Sequence, residues 1–126
     1  MVAALTAFLA YFCVSVVLLS AFIYIYAKAT PYRQFTLIEH DNVAVGITFA
    51  GAVLGFTAPL VASIYYTQSL KEMCLWAGIT CLVQLLVLVA LRKQAKRVEE
   101  GHVGSAVMIA TLSLAVGLLN AASISH

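Results

Sequence analysis

The sequence predicts an all-α membrane protein with four transmembrane helices, arranged as two parallel two-helix repeats. Three observations carry that reading. First, 63% of the 126 residues are hydrophobic and 10% charged, against about 45–50% apolar and about 25% charged in soluble domains. Second, the charges collect in two clusters, 28–41 and 92–102, with only Lys71 and Glu72 between them. Third, four apolar stretches remain: 3–27, 43–66, 73–91 and 103–125. Each is close to the ~20 residues that cross ~30 Å of hydrocarbon at about 1.5 Å per residue. Residues 1–126 thus read as a single integral membrane domain, repeat 1 covering about 1–66 and repeat 2 about 67–126.

The first stretch has no basic segment ahead of it and runs for roughly 25 residues. A signal-peptide core is shorter, about 7–15 residues, so a retained helix is expected. The second stretch opens after Asp41 and Asn42, either of which can accept from free N–H groups at a helix start. It contains Gly46, Gly51, Gly55 and Pro59, residues that a soluble helix excludes from its interior. The third follows a tight turn at 67–69, and the fourth follows the second charge cluster.

Orientation follows from Lys and Arg, which favour the cytoplasmic side. Lys28, Arg33, Arg92, Lys93, Lys96 and Arg97 flank the first-to-second and third-to-fourth connections, and only Lys71 lies opposite. Both connections are therefore expected inside and both termini outside. Tyr24, Tyr26 and Tyr32 fit the inner interface, and Tyr65, Tyr66 and Trp76 the outer one. Cys13, Cys74 and Cys81 have no Cys-x-x-Cys spacing and read as small apolar residues.

An offset of 60 residues overlays RQFTLIEHDNVAVGITFA (33–50) on KQAKRVEEGHVGSAVMIA (93–110). Arg33 falls on Lys93, Gln34 on Gln94, Glu39 on Glu99, Val43 on Val103 and Ala50 on Ala110. The unit is helix, basic-then-acidic connection, helix. Because each unit crosses twice, both copies enter the membrane in the same sense, unlike the inverted repeats of many transporters.

Thr30-Pro31, Leu37-Ile38 with Asn42, Gly51 and Gly55 with Pro59-Leu60, and the closing Leu119-Asn120-Ala121-Ala122 carry a resemblance across essentially the whole chain. It resembles the bacterial inner-membrane family catalogued as domain of unknown function 350. That resemblance implies a small four-helix protein built from a duplicated two-helix unit, in a bacterial inner membrane. It also implies a context of envelope stress and membrane remodelling, with no activity to carry over. At the start of the second unit's last helix, relatives tend to carry Asn where this chain has His102.

Three groups of residues are candidates for function. Gly51 and Gly55 form a GxxxG, and Gly46 with Ala50 a second small pair. Ala106, Ala110, Ser113, Gly117 and Asn120 form a matching stripe on the fourth stretch. In lipid, small residues mark surfaces where backbones approach, so these two helices are expected to line the interior or a subunit interface. The abundance of such faces predicts a homo-oligomer.

Pro59 cannot donate to the Gly55 carbonyl, so a kink is expected there. The freed carbonyl needs a neighbouring helix, a hydroxyl such as Thr57 or Ser63, or water. Thr57, Pro59, Gln84, Ser113 and Asn120 admit two readings: interhelical hydrogen bonding, or a narrow polar path in which carbonyls and amides replace an ion's hydration. At the inner ends, Glu39 and Asp41, and likewise Glu99 and Glu100, complement the positive ends of the helices that follow. The alternative reading brings Glu39, His40, Asp41, Glu99, Glu100 and His102 together as a cation or partner site, since both residue types suit a divalent ion. No spacing among them marks a metal, and none is expected.

No Asp, Glu, Lys, Arg or His lies inside an apolar stretch, which argues against a proton-coupled transporter. Ser15, Ser20 and Ser63 have no base in the membrane to activate them, and no phosphate-binding glycine loop occurs. The basic residues read as topology signals and anionic-lipid contacts rather than nucleic-acid binding. A non-enzyme without cofactor is expected: an oligomeric component or scaffold whose charged connections meet a cytoplasmic envelope-stress protein. The alternative is a small passive channel or transport subunit lined by the second and fourth helices.

Overall fold

The computed structural model describes residues 2–30, 34–67 and 69–124. Among them are six helices: α1 (Val2–Ala29), α2 (Gln34–Glu39), α3 (Val43–Thr67), α4 (Leu70–Ala90), α5 (Arg92–Glu99) and α6 (Val103–Ile124). Four of these, α1, α3, α4 and α6, are long and apolar enough to cross a membrane. The order is long, short, long, repeated once.

The short helices occupy what the sequence pattern leaves as connections. In α5, Ala95 and Val98 are buried while Arg92, Lys93, Lys96 and Arg97 are exposed. That three-residue apolar spacing inside a charge run packs one side of the helix onto the bundle. The Ser105 hydroxyl on α6 donates to the Gln94 side-chain oxygen at 2.9 Å, tying α5 down.

Both short helices end in the same motif. The Asp41 and Asn42 amides donate to the Ile38 and Leu37 carbonyls; those of Gly101 and His102 donate to Val98 and Arg97. This crossed pair satisfies orphan carbonyls and needs a positive φ at the penultimate residue. Asp41 has φ 61° and Gly101 φ 94°, at positions 60 residues apart. Asp41 is thus the left-handed turn that ends α2, and Asn42 the residue that caps α3: its Oδ1 accepts from the Val45 amide at 3.2 Å.

At the other end of the bundle, Thr67 closes α3 and Ser69 caps α4, its hydroxyl accepting from the Glu72 amide at 3.4 Å. Lys71 and Glu72 therefore lie within α4's first turn, ahead of the stretch read from apolarity alone. Gln68 of the expected turn, Pro31, Tyr32 and Arg33 named above, and the last residue of the 103–125 stretch lie outside the described residues.

The largest interface joins α3 to α6, and the next joins α3 to α4. Helix α1 is peripheral: Phe22 and Tyr26 are its buried residues, while Val2, Leu5, Phe8, Leu9 and Phe12 are all exposed. It has no glycine, and bulky side chains fill most of its C-terminal half, so its backbone is not brought against a neighbour as those of α3 and α6 are. What anchors it is a ring stack of Phe22 on Phe56, 4.3 Å between centroids and 9° from parallel. Tyr26, expected in the interfacial belt, is instead 2% exposed and belongs to the core. Tyr24 keeps to the surface with the Lys28 ammonium 5.5 Å from its ring centre. Tyr65 and Tyr66 are exposed at the end of α3 in an edge-to-face pair, and Trp76 is half-buried. The three cysteines are free, with Cys13 and Cys74 exposed and Cys81 half-buried.

Candidate functional site

The crossing of α3 and α6 is built on missing side chains. A methyl group placed on Gly51 would stand 2.5 Å from the Ala110 Cβ, and one on Gly55 would stand 2.5 Å from the Ser113 carbonyl oxygen. One on Gly117 would lie 2.6 Å from the Gly55 Cα and closer still to its carbonyl oxygen. Real carbon atoms do not approach so closely, so the two backbones are in direct contact at these residues. Ala106 is fully buried in the same face.

Gly46 and Ala50 take no part in that crossing. Nothing lies within 4 Å of a Cβ built on Gly46, and Ala50 is exposed. The small residues of α3 form two faces about 140° apart around the helix axis, and of the two it is the Gly51–Gly55 face that meets α6. With Ile38, Asp41, Asn42, Val43 and Ile47, the other face lines an open cavity of about 380 Å³.

Pro59 is buried within α3, which continues past it to Thr67. The Gly55 carbonyl, which loses its usual donor to the proline, is set against the Gly117 backbone. Neither expected hydroxyl serves it. Thr57 donates to Val53 O at 2.7 Å and Ser63 to Leu60 O at 2.8 Å, each on its own helix. Of the three expected partners, it is the neighbouring helix that takes the place beside this carbonyl.

Two amides tie α4 to α6. Gln84, 1% exposed, donates from Nε2 to the Ser113 carbonyl at 3.1 Å. Asn120 donates from Nδ2 to the Thr80 hydroxyl at 3.0 Å. The Gln84 Oε1 is buried without a hydrogen-bond partner. The structure thus brings Gln84, Ser113, Gly55 and Gly117 into one layer, with Asn120 and Thr80 beside it, while Thr57 is half-buried and turned onto its own helix. Thr80 is absent from the sequence-based set. It stands one helical turn before Gln84, and two polar residues so spaced in an apolar helix are the signal that marks it.

The charged connections meet less closely than pseudo-symmetry suggests. Asn42 Nδ2 donates to the Glu99 carbonyl at 3.2 Å, so the cap of α3 also holds the end of α5. The His102 ring lies 3.3 Å from the Glu100 carboxylate. Glu39, His40, Asp41, Glu99, Glu100 and His102 are all exposed, and among the described residues no three His, Cys, Asp or Glu groups could hold one metal ion. The convergence of all six on one cation does not occur: the His102–Glu100 pair is the contact among them, and the tie between the two connections is made by Asn42 and a backbone carbonyl.

Four membrane-length helices, joined through bare backbone and amide ties and charged only at their ends, define a multi-pass α-helical membrane protein. The chain belongs to the family described as Domain of Unknown Function (DUF350), whose model matches residues 1–124. It is similar to the UPF0719 inner membrane protein YjfL of Escherichia coli strain K12 and to that of Escherichia coli O157:H7. Each is 32% identical over 122 residues, spanning 94% of this chain and 92% of the relative. The inner-membrane relatives and the four apolar helices together make this a multi-pass inner membrane protein. No solved structure matches it.

Proposed function

We propose that this protein is a non-catalytic, oligomeric component of the inner membrane, which presents its two charged connections to a cytoplasmic protein of an envelope-stress or membrane-remodelling system. The observation that carries the reading is the use made of polar groups. Two amides within the membrane join one helix to another (Gln84 to Ser113, Asn120 to Thr80), while all the charged side chains but Lys28, Lys71 and Glu72 belong to the two connections. A protein so arranged offers its chemistry at the membrane surface and its packing within. The matched endings of α2 and α5, 60 residues apart, support a duplicated origin for the two connections, both facing the cytoplasm.

Charge reversal of Arg33 and Lys93 to Glu is expected to weaken co-purification of the cytoplasmic partner. Undiminished co-purification would count against the reading. The open face around Gly46 and Ala50 is offered as the contact between copies, so Gly46→Leu is expected to shift the cross-linked oligomer toward monomer.

A second reading is favoured by one atom. The Gln84 Oε1, buried and unpartnered on a side chain that packs against Gly55, is an acceptor that a dehydrated cation or a water could use. On that reading the protein is a small passive path, and reconstituted liposomes would show ion flux that Asn120→Leu or Gln84→Leu alters. Flux in the unsubstituted protein would favour this path over the scaffold, and none under varied ions would remove it.

A further inference from the structure

We infer that the cavity between the end of α1 and the α4–α5 junction is a binding site for the headgroup of an anionic glycerophospholipid. Ala29, Leu88, Val89, Arg92, Ala95 and Lys96 line this cavity, of about 330 Å³. Its composition is divided as a lipid is divided. Leu88 and Val89 continue the apolar surface of α4 and form the wall that an acyl chain and glycerol would follow. Arg92 and Lys96 stand one helical turn apart on α5, so both cations reach the same opening. Among the described residues neither makes an ion pair, and no carboxylate lines the cavity.

Thr30 caps α1, its hydroxyl donating to Ala27 O at 2.9 Å and its amide to Tyr26 O at 3.0 Å. Small residues, Ala29 and Ala95, leave the room between wall and floor. The nearest other cation on α1, Lys28, lies over the Tyr24 ring. An unpaired guanidinium and ammonium at the end of a membrane helix, over an apolar wall, suit a phosphodiester that is itself tethered in the bilayer. Lys93 and Arg97 carry equal charge on the same helix but do not line the cavity, which supplies the control.

The test uses the full chain, purified in detergent and freed of lipid, with dioleoyl phosphatidylglycerol and phosphatidylcholine as probes and bound lipid counted by native mass spectrometry. Phosphatidylglycerol is expected to bind in preference. Arg92→Gln with Lys96→Gln is expected to weaken it roughly 25-fold, about five-fold for each cation removed at the surface. Lys93→Gln with Arg97→Gln is expected to change it far less. Ala29→Trp, which keeps every charge but fills the cavity, is expected to weaken it as the first pair does and covers the case in which that pair disturbs folding. Equal binding of the two lipids, equal loss in both double variants, or unchanged binding in Ala29→Trp would overturn the site. Displacement of phosphatidylglycerol by inorganic phosphate at comparable concentration would overturn the assignment to lipid.

Discussion

At the scale of single residues, the protein depends on where side chains are missing. Gly117→Leu would drive a branched side chain into the α3 backbone at Gly55. It is expected to cost about 1–3 kcal/mol or more, the usual range for overpacking, and to lower the melting temperature of the detergent-solubilised protein. Gly46→Ala meets open space and is expected to stay within about 0.5 kcal/mol of the parent. The two left-handed residues make an opposed pair. Gly101→Ala places a Cβ at φ 94°, and Asp41→Gly relieves one at φ 61°. The first is expected to destabilise by about 1 kcal/mol and the second to be neutral or slightly stabilising. Comparing their unfolding midpoints checks both signs together. For the α4–α6 ties, a double-mutant cycle on Asn120→Leu and Thr80→Val is expected to return about 0.6–2 kcal/mol of coupling.

At the scale of helices, sequence periodicity identifies the four long elements because lipid imposes length and apolarity on any backbone that crosses it. Their inequality is not visible in that pattern. All four read as comparable spans, yet α3 carries half-buried windows while the most apolar part of α1 is unburied. The difference lies in shape: α3 has Gly51 and Gly55 to admit a neighbour, whereas α1 buries Phe22 and Tyr26 and rests only partly buried side chains such as Leu18 and Ile23 on the core. Phe22→Ala is therefore expected to loosen α1 and leave the α3–α6 crossing in place. Faster hydrogen exchange confined to α1 would show this; loss of protection throughout would mean that α1 is integral to the core. The short helices escaped notice because six or eight residues seldom declare a period, and in α5 the two inward residues sit inside a run of cations.

At the scale of the whole molecule, the charged ends of α2 and α5 are expected on the cytoplasmic side. Alkaline phosphatase fused after α6 is expected to be active, and fused after Glu99 inactive; the reverse pattern would invert the protein in the membrane. Much of the candidate site was legible beforehand. Gly51, Gly55, Ala110 and Gly117 could be named because lipid offers helices no hydrophobic drive to associate, so thin faces are among the few means of contact. The pairing of Gln84 with the Ser113 carbonyl could not, since it joins residues 29 apart on different helices and depends on how α4 and α6 are rotated. For the same reason the six acidic and imidazole groups looked convergent in an overlay but do not gather around one point in space.

The sequence by itself determined the solvent of this protein, the number of its crossings and the residues able to bring two helices together, because bilayer thickness and backbone hydrogen bonding leave few alternatives. Only the tertiary structure decided which small face is used, that the Gly55 carbonyl turns to Gly117, and that α1 stands at the edge. Those outcomes depend on helix rotation and crossing, which follow from side-chain shape across an interface rather than from the order of residues along any one helix.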